Sequence, residues 1–346
     1  MTILNKEILL TQFDHIQSRK IKVIYHNLIG RKTVSNLFWS LRYGLLSWRH
    51  VFPGLSKQKF YESVSSLKSN FIMFANEEVL SKDNNLKLKQ TIDQLFPEKN
   101  RQICQYCNIN ELIELLLLTI QALSEKSYGE SSYLPLSASN YNRQLVHYWY
   151  QKNDTAFLIN SVKNTLFDWL NSISELDATV FTSKLVGYNH PGYVNNVIAD
   201  QLNIPIQYID LIQLNNWCGL IKYICTNGGI LATLINILMK KDILSSSTKK
   251  SLILLKKGYS INTILQLQKI KLSTFNEHIL ESAILLPFKK FNYDQFINSD
   301  LLHNLIKIEP SNIDKWDYKL AKKELKINFF IFRLSQIYLT KQKYEN

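Results

Sequence analysis

The stretch from Lys249 to Leu286 constrains the chain most, because three short apolar stripes at helical spacing are separated there by two tight turns. Leu252, Leu255 and Tyr259 stand at i, i+3 and i+7 on one helical face, and Gly258 can take the positive φ that stops such a helix. Ser260 is placed to cap a second helix whose apolar face is Ile261, Ile264 and Leu265. The chain turns again through Lys269, Ile270 and Lys271. Ser273 then reads as the cap of a third helix with Phe275, Ile279, Ala283 and Leu286 inward. Each helix is too short to be stable alone, so the three must pack on one another. A helix, a tight turn and a second helix can seat the second helix in a DNA major groove, and the same unit also serves as a plain packing module.

The rest of the chain extends the helical theme. Ten Gly and seven Pro in 346 residues, with Leu/Ile/Lys/Asn-rich runs in place of alternating Val/Thr patterns, predict an all-α protein. The expected architecture is a helical-bundle N-terminal region plus a C-terminal helix-turn-helix domain, winged-helix-like without a clear wing. Boundaries are expected as a helical region at 1–125, a Ser/Tyr/Asn-rich linker with Gly129 and Pro135 at 126–142, a middle helical region at 143–243 and the C-terminal domain at 244–346.

Two weaker echoes of the same motif occur upstream. At 18–70, the stripe Ile21, Ile24, Tyr25, Leu28 ends at Gly30. The stripe Val34, Leu37, Phe38, Leu41 follows Thr33, and Phe60, Val64, Leu67 and Phe71 follow Leu55 and Ser56. A degenerate helix-turn-helix or a plain bundle would both give this pattern. At 193–215, Ala199, Asn203 and Ile209 hold the small, turn and buried-aliphatic positions, Asn203 tolerates positive φ, and Pro205 suits a first helical turn. The following helix, Ile206 to Leu214, contains Asp210 and no Lys or Arg, so packing or partner docking is expected there over DNA reading. Between these segments, Leu112, Leu115, Leu116, Ile120 and Leu123 predict a central core helix.

A net charge of +13 points to an acidic partner, and residues 241–346 carry 18 Lys and Arg against 10 Asp and Glu. Chemistry-bearing motifs are sparse. Cys104 and Cys107 form one C-x-x-C without a second pair at zinc spacing, and with Cys218 and Cys225 they read as buried thiols. Gly30 to Thr33 mimics the end of a phosphate loop, but Tyr25 stands where its first Gly belongs. His278 reads as a half-buried packing residue. No catalytic, cofactor-binding or metal-ligating residue is assigned, and no small-molecule substrate is evident. The expectation is a non-catalytic protein without a cofactor. The longest apolar runs are shorter than the roughly 20 residues that span a bilayer, and no signal segment precedes Leu9, so a cytoplasmic location without a membrane anchor is expected.

The run GYSINTILQLQKIKLSTFNEHIL resembles the helicase helix-turn-helix domain at the C-terminus of some RecQ-type DNA helicases, through Gly258, Ser260, Ile264, Leu272, Ser273, Thr274, Phe275, His278 and Ile279. Tyr318 to Leu339, with Arg333 and Leu334, is similar to the last part of that domain. The whole chain resembles the YpbB-type family of Gram-positive bacteria, which carries the domain without a helicase motor. The resemblance implies a DNA-binding accessory protein that acts with a RecQ-like helicase in DNA repair or recombination. In that role Lys269, Lys271, Lys289 and Lys290 would contact phosphates. Ser260, the cap of the second helix, would be a further DNA contact, Ser273 and the first N–H groups of the third would orient on one phosphate, and Thr274, Asn276 and Glu277 would face the groove.

Two other classes stay open. One is a protein-interaction scaffold that never touches DNA, suggested by Glu277 and Glu281, read as lying on the exposed face of the third helix. The other is a helix-turn-helix transcriptional regulator, disfavoured because the third helix offers only Asn276 for base edges.

Overall fold

The computed structural model describes residues 4–345, and the chain divides into two compact units. One is built from the chain up to Gly30 together with Ser47–Lys241, the other from Arg31–Leu46 together with Asp242 onward. The fold is all-α apart from a small antiparallel sheet in the first unit, whose strands Arg19–Lys20, Glu78–Ser81 and Phe71–Met73 lie in that spatial order. Its strands are two to four residues long, too short to show alternation in the sequence.

In the first unit the predicted apolar helix spans Ile109–Ser127, with Leu112, Leu115 and Leu116 fully buried, and packs on Asn140–Gln151 and Thr155–Leu170. A longer helix, Ile206–Asn227, is the more central one. It packs against Glu175–Ser183, Asn195–Leu202, Leu86–Leu95 and Glu98–Arg101, and buries residues on all sides, including Leu211, Leu214, Trp217 and Ile221.

The expected linker at 126–142 does not separate compact units, since the chain on both sides of it lies in the first. Residues 128–139 are irregular but tied down. Gln121 accepts from Leu136 N–H at 2.7 Å and donates to the Leu134 carbonyl at 3.1 Å, and Glu114 accepts from Ser139 N–H.

The degenerate helix-turn-helix expected at 18–70 is not formed as one unit. Its first helix, Ile21–Leu28, stays in the first unit, whereas its second, Val34–Arg42, belongs to the other. The break falls at Gly30, at φ +84°, where an added Cβ would lie 2.3 Å from the His50 ring.

The second unit is assembled around a core that joins Leu37, Phe38 and Leu41 of Val34–Arg42 to Ile264, Phe275, Ile279, Ala283, Leu334 and Ile337. Polar contacts fix the inserted segment. Arg42 pairs with Asp314 at 2.6 Å and donates to the Thr340 hydroxyl at 2.9 Å, and Lys32 donates to the Ile243 carbonyl at 2.5 Å. The Arg333 guanidinium lies 3.7 Å from the Phe38 ring centroid, and burial lowers its pKa to about 10, so it stays charged at neutral pH. Leu305, Ala321 and Phe332 form a separate satellite cluster. Among the described residues this unit contains no strand and therefore no wing.

Candidate nucleic-acid interface

The Lys249–Leu286 stretch folds as three helices, Ser246–Lys256, Ile261–Gln268 and Leu272–Leu285. Gly258, at φ +83°, ends the first through a bond from Tyr259 N–H back to the Leu254 carbonyl. Ser260 caps the second: its hydroxyl accepts from Thr263 N–H at 3.2 Å. Inside, Ile264, Phe275, Ile279 and Ala283 are buried as their spacing predicts, whereas Leu286 is half-buried at the helix end and Tyr259 is largely exposed.

The turn between the second and third helices carries the unusual backbone. Lys269 lies in the left-handed region at φ +54°, and Ile270 N–H bonds back to the Leu265 carbonyl at 3.1 Å, the arrangement that glycine normally closes. Among the described residues the same connection occurs three times. The eight-residue helices Asn195–Leu202, Ile261–Gln268 and Tyr318–Leu325 each end on a left-handed residue, Asn203, Lys269 and Lys326, at φ +52° to +54°. In each case the next helix begins three residues later, at Ile206, Leu272 and Phe329.

The three copies differ at the start of that next helix. In the Asn203 copy the helix is built into the core: Gln213 donates to the Val180 carbonyl, Asn216 donates to Asp177 O at 2.8 Å, and Asp210 accepts from Asn195 at 2.8 Å. In the last copy the Asn328 side chain accepts from Ile331 N–H at 3.0 Å and caps the helix. In the Lys269 copy the cap position is Lys271, not the expected Ser273, and its side chain closes nothing. The first intrahelical bond is Phe275 N–H to the Lys271 carbonyl, so the N–H groups of Leu272, Ser273 and Thr274 precede the helical ladder. These donors, the helix dipole and the exposed Lys269 and Lys271 present positive charge at one point.

Ser273 is exposed there, Thr274 and Asn276 are half-buried, and Glu277 is exposed one turn further on. Leu267 and Leu272, both 53% exposed, flank the turn. Sequence periodicity does not mark them as surface residues, because each reads as part of an apolar stripe. Lys289 and Lys290 are exposed but sit in the short turn Phe288–Lys290 beyond the C-terminal end of Leu272–Leu285. A helix of that length puts about 20 Å between them and the Lys269–Lys271 turn, so the two lysine pairs do not form one patch. Ser260 is likewise one helix length, about 12 Å, from Lys269.

Glu281 corrects the sequence reading: it is buried, not exposed. Its carboxylate accepts from Thr248 Oγ1 at 2.6 Å and from Ser245 N–H at 3.1 Å, closing the N-terminus of Ser246–Lys256. His278 is also buried, with Nδ1 2.8 Å from the Ser251 hydroxyl, and burial lowers its pKa below the ordinary imidazole value. Both side chains are used in joining the third helix to the first.

Cys104, Cys107 and Cys218 are buried thiols, and Cys104 Sγ lies 3.7 Å from Cys218 Sγ. Cys225 is exposed, against expectation, because the solvent side of Ile206–Asn227 widens toward its end. Among the described residues no group of three His, Cys, Asp or Glu is placed to hold a metal, and no single helix is long and apolar enough to cross a membrane.

The second unit carries 20 of the 41 Lys and Arg and 10 of the 28 Asp and Glu, and so +10 of the net +13. Including Arg31, Lys32 and Arg42 makes it more basic than the C-terminal residues alone.

Residues 247–336 match the family described as a helix-turn-helix domain. That range spans the Lys269 and Lys326 turns. The chain is similar to Protein YpbB of Bacillus subtilis (strain 168), 25% identical over 177 residues that cover 50% of this chain and 49% of that protein. The alignment thus spans about half the length of the curated relative. No solved structure matches. The chain therefore resembles the YpbB-type proteins and carries a C-terminal helix-turn-helix domain.

Proposed function

We propose that the protein is a non-catalytic, cytoplasmic DNA-binding accessory factor that grips the phosphate backbone through the Lys269–Lys271 turn and acts with a RecQ-like helicase in DNA repair or recombination. The observation that carries the DNA reading is the open N-terminus of Leu272–Leu285, flanked by two exposed lysines, one held at a left-handed φ. Helix N–H groups and lysines fix a phosphate without reading sequence, and the single candidate base reader, the half-buried Asn276, favours backbone gripping over a sequence-specific regulator. Burial of Glu281 removes one of the two acidic side chains that argued for a scaffold without DNA contact. The helicase partner is supported by the likeness of Gly258–Ile279 and Tyr318–Leu339 to the helicase-type domain.

The test is unwinding of a labelled forked duplex by a RecQ-type helicase, with and without the full chain. The chain should raise the unwound fraction, and Lys269→Asn/Lys271→Gln should abolish the effect. No effect of the wild-type chain on unwinding would remove the helicase role.

A further inference from the structure

The third copy of the turn carries a different kind of basic surface. In Tyr318–Leu325 and its left-handed end residue, Lys319, Lys322, Lys323 and Lys326 stand at i, i+3, i+4 and i+7, one exposed face of one helix. The opposite side is anchored by Ala321, which is buried with Leu305 and Phe332 in a cluster of its own, apart from the core that holds Ile264 and Phe275. Glu324 stands 3.9 Å from Lys323, which is 83% exposed, a pairing too long and too solvated to neutralise the stripe. Four like charges on one face repel one another and raise the energy of the free helix.

An aromatic lies directly beyond the stripe. Phe329 opens the next helix three residues after Lys326 and is 47% exposed, although it is an apolar ring in a unit with a well-filled core. Its ring is held rather than loose: Tyr318 lies edge-on at 5.3 Å and the Arg333 guanidinium sits 5.1 Å from its centroid. The helix N-terminus beside it is closed by Asn328, so this surface does not work by offering helix N–H groups. A row of lysines beside a positioned, exposed aromatic ring is the combination by which single strands are held, phosphates along the charges and a base stacked on the ring.

We propose that Lys319, Lys322, Lys323, Lys326 and Phe329 form a second nucleic-acid site, for a single-stranded segment, separate from the Lys269–Lys271 turn. The inference rests on the DNA reading of the domain and extends it: the C-terminal unit takes duplex at one turn and single strand at the other. A substrate that offers both, a duplex with a single-stranded tail, engages both sites at once and gains from their linkage.

The test uses the full chain, with a fluorescent 20-nucleotide oligo(dT) and a 20-base-pair duplex as probes in anisotropy titrations over a range of NaCl concentrations. Lys319→Gln/Lys322→Gln/Lys323→Gln/Lys326→Asn should weaken oligo(dT) binding by at least about tenfold and flatten its log–log salt dependence by about 0.7 per lost phosphate contact. Phe329→Leu keeps an apolar side chain against Tyr318 and Phe332 and should weaken oligo(dT) by about fivefold or more through lost stacking. Both variants should bind the duplex within about threefold of wild type, and circular dichroism melts should show both folded, the four-lysine variant melting at or above the wild-type temperature because the repulsion along the face is relieved. Wild-type salt dependence on oligo(dT) in the four-lysine variant would overturn the second site while leaving duplex binding at Lys269 intact. Equal loss on both probes would also overturn it, because the stripe would then belong to the duplex site. Failure of the wild-type chain to bind either probe would end both readings.

Discussion

The carboxylate of Glu281 accepts a hydrogen bond from the hydroxyl of Thr248 at 2.6 Å, and its other oxygen accepts from the Ser245 backbone N–H at 3.1 Å. The third helix of the helix-turn-helix thereby closes the positive end of the first. The C-terminal end of the third helix is itself closed by a positive charge: buried Lys341 donates to the carbonyls of Ala283 at 3.3 Å, Ile284 at 3.4 Å and Leu286. Both placements suit the helix dipole. Glu281→Ala leaves a buried hydroxyl and a helix N–H without an acceptor and should cost about 2 kcal/mol, against about 1 for Glu281→Gln, which keeps one acceptor. Chemical denaturation of the two variants checks the order.

The core of the second unit requires a segment that lies some 200 residues upstream. Burying Leu37, Phe38 and Leu41 contributes about 1.5–3 kcal/mol each, a sum comparable with the whole stability of a small domain. A fragment of residues 242–346 should therefore lack a cooperative thermal transition, and fusing residues 31–46 to it should restore one. A fragment that melts cooperatively without the segment would show that Val34–Arg42 is dispensable.

Lys269 is strained as well as charged. A side chain at φ +54° costs about 1 kcal/mol relative to glycine, a strain retained at a position where the charge is useful. Lys269→Gly should raise the stability of the second unit by about that amount and weaken duplex binding, so the two properties should move in opposite directions. A variant both less stable and unchanged in binding would contradict this account of the turn.

Much of this was legible in the sequence. Phe275, Ile279 and Ala283 follow the helical period and are buried, and Gly258 stops its helix where its freedom of φ is needed. What was hidden depends on partners distant in the chain or on unlikely backbone. Glu281 reads as a surface charge until Thr248, 33 residues earlier, is placed against it. Val34–Arg42 looks like half of a local motif because periodicity marks an apolar face without saying which core receives it. Ser273 has the chemistry of a cap, yet Lys271 takes the position because the left-handed turn at Lys269 starts the helix two residues sooner. Of the candidate contacts, the fold brings together Lys269, Lys271, Ser273 and Thr274, and leaves Ser260, Lys289 and Lys290 at other helix ends.

Acid should loosen the second unit through His278. Burial holds its folded-state pKa below the ordinary value, so as pH falls through about 6.5 the unfolded chain takes up a proton before the folded one does. The contribution is fully present above that pH and is lost as pH falls toward the lower folded-state pKa. His278→Gln should lessen the drop in melting temperature between about pH 7 and pH 5. His50 in the first unit is shifted the same way by burial, so the full chain keeps part of the dependence.

The central claim is that the Lys269–Lys271 turn grips the DNA backbone, and the salt dependence of duplex binding tests it most directly. Each phosphate contact contributes about −0.9 to the log–log slope, so Lys269→Asn/Lys271→Gln in the full chain should make the slope shallower by about 1.8 and weaken binding on duplexes of unrelated sequence alike. Asn keeps the left-handed turn, which isolates the loss of charge from the loss of shape. A double variant that binds duplex with the wild-type slope would place the DNA contact elsewhere and contradict the account.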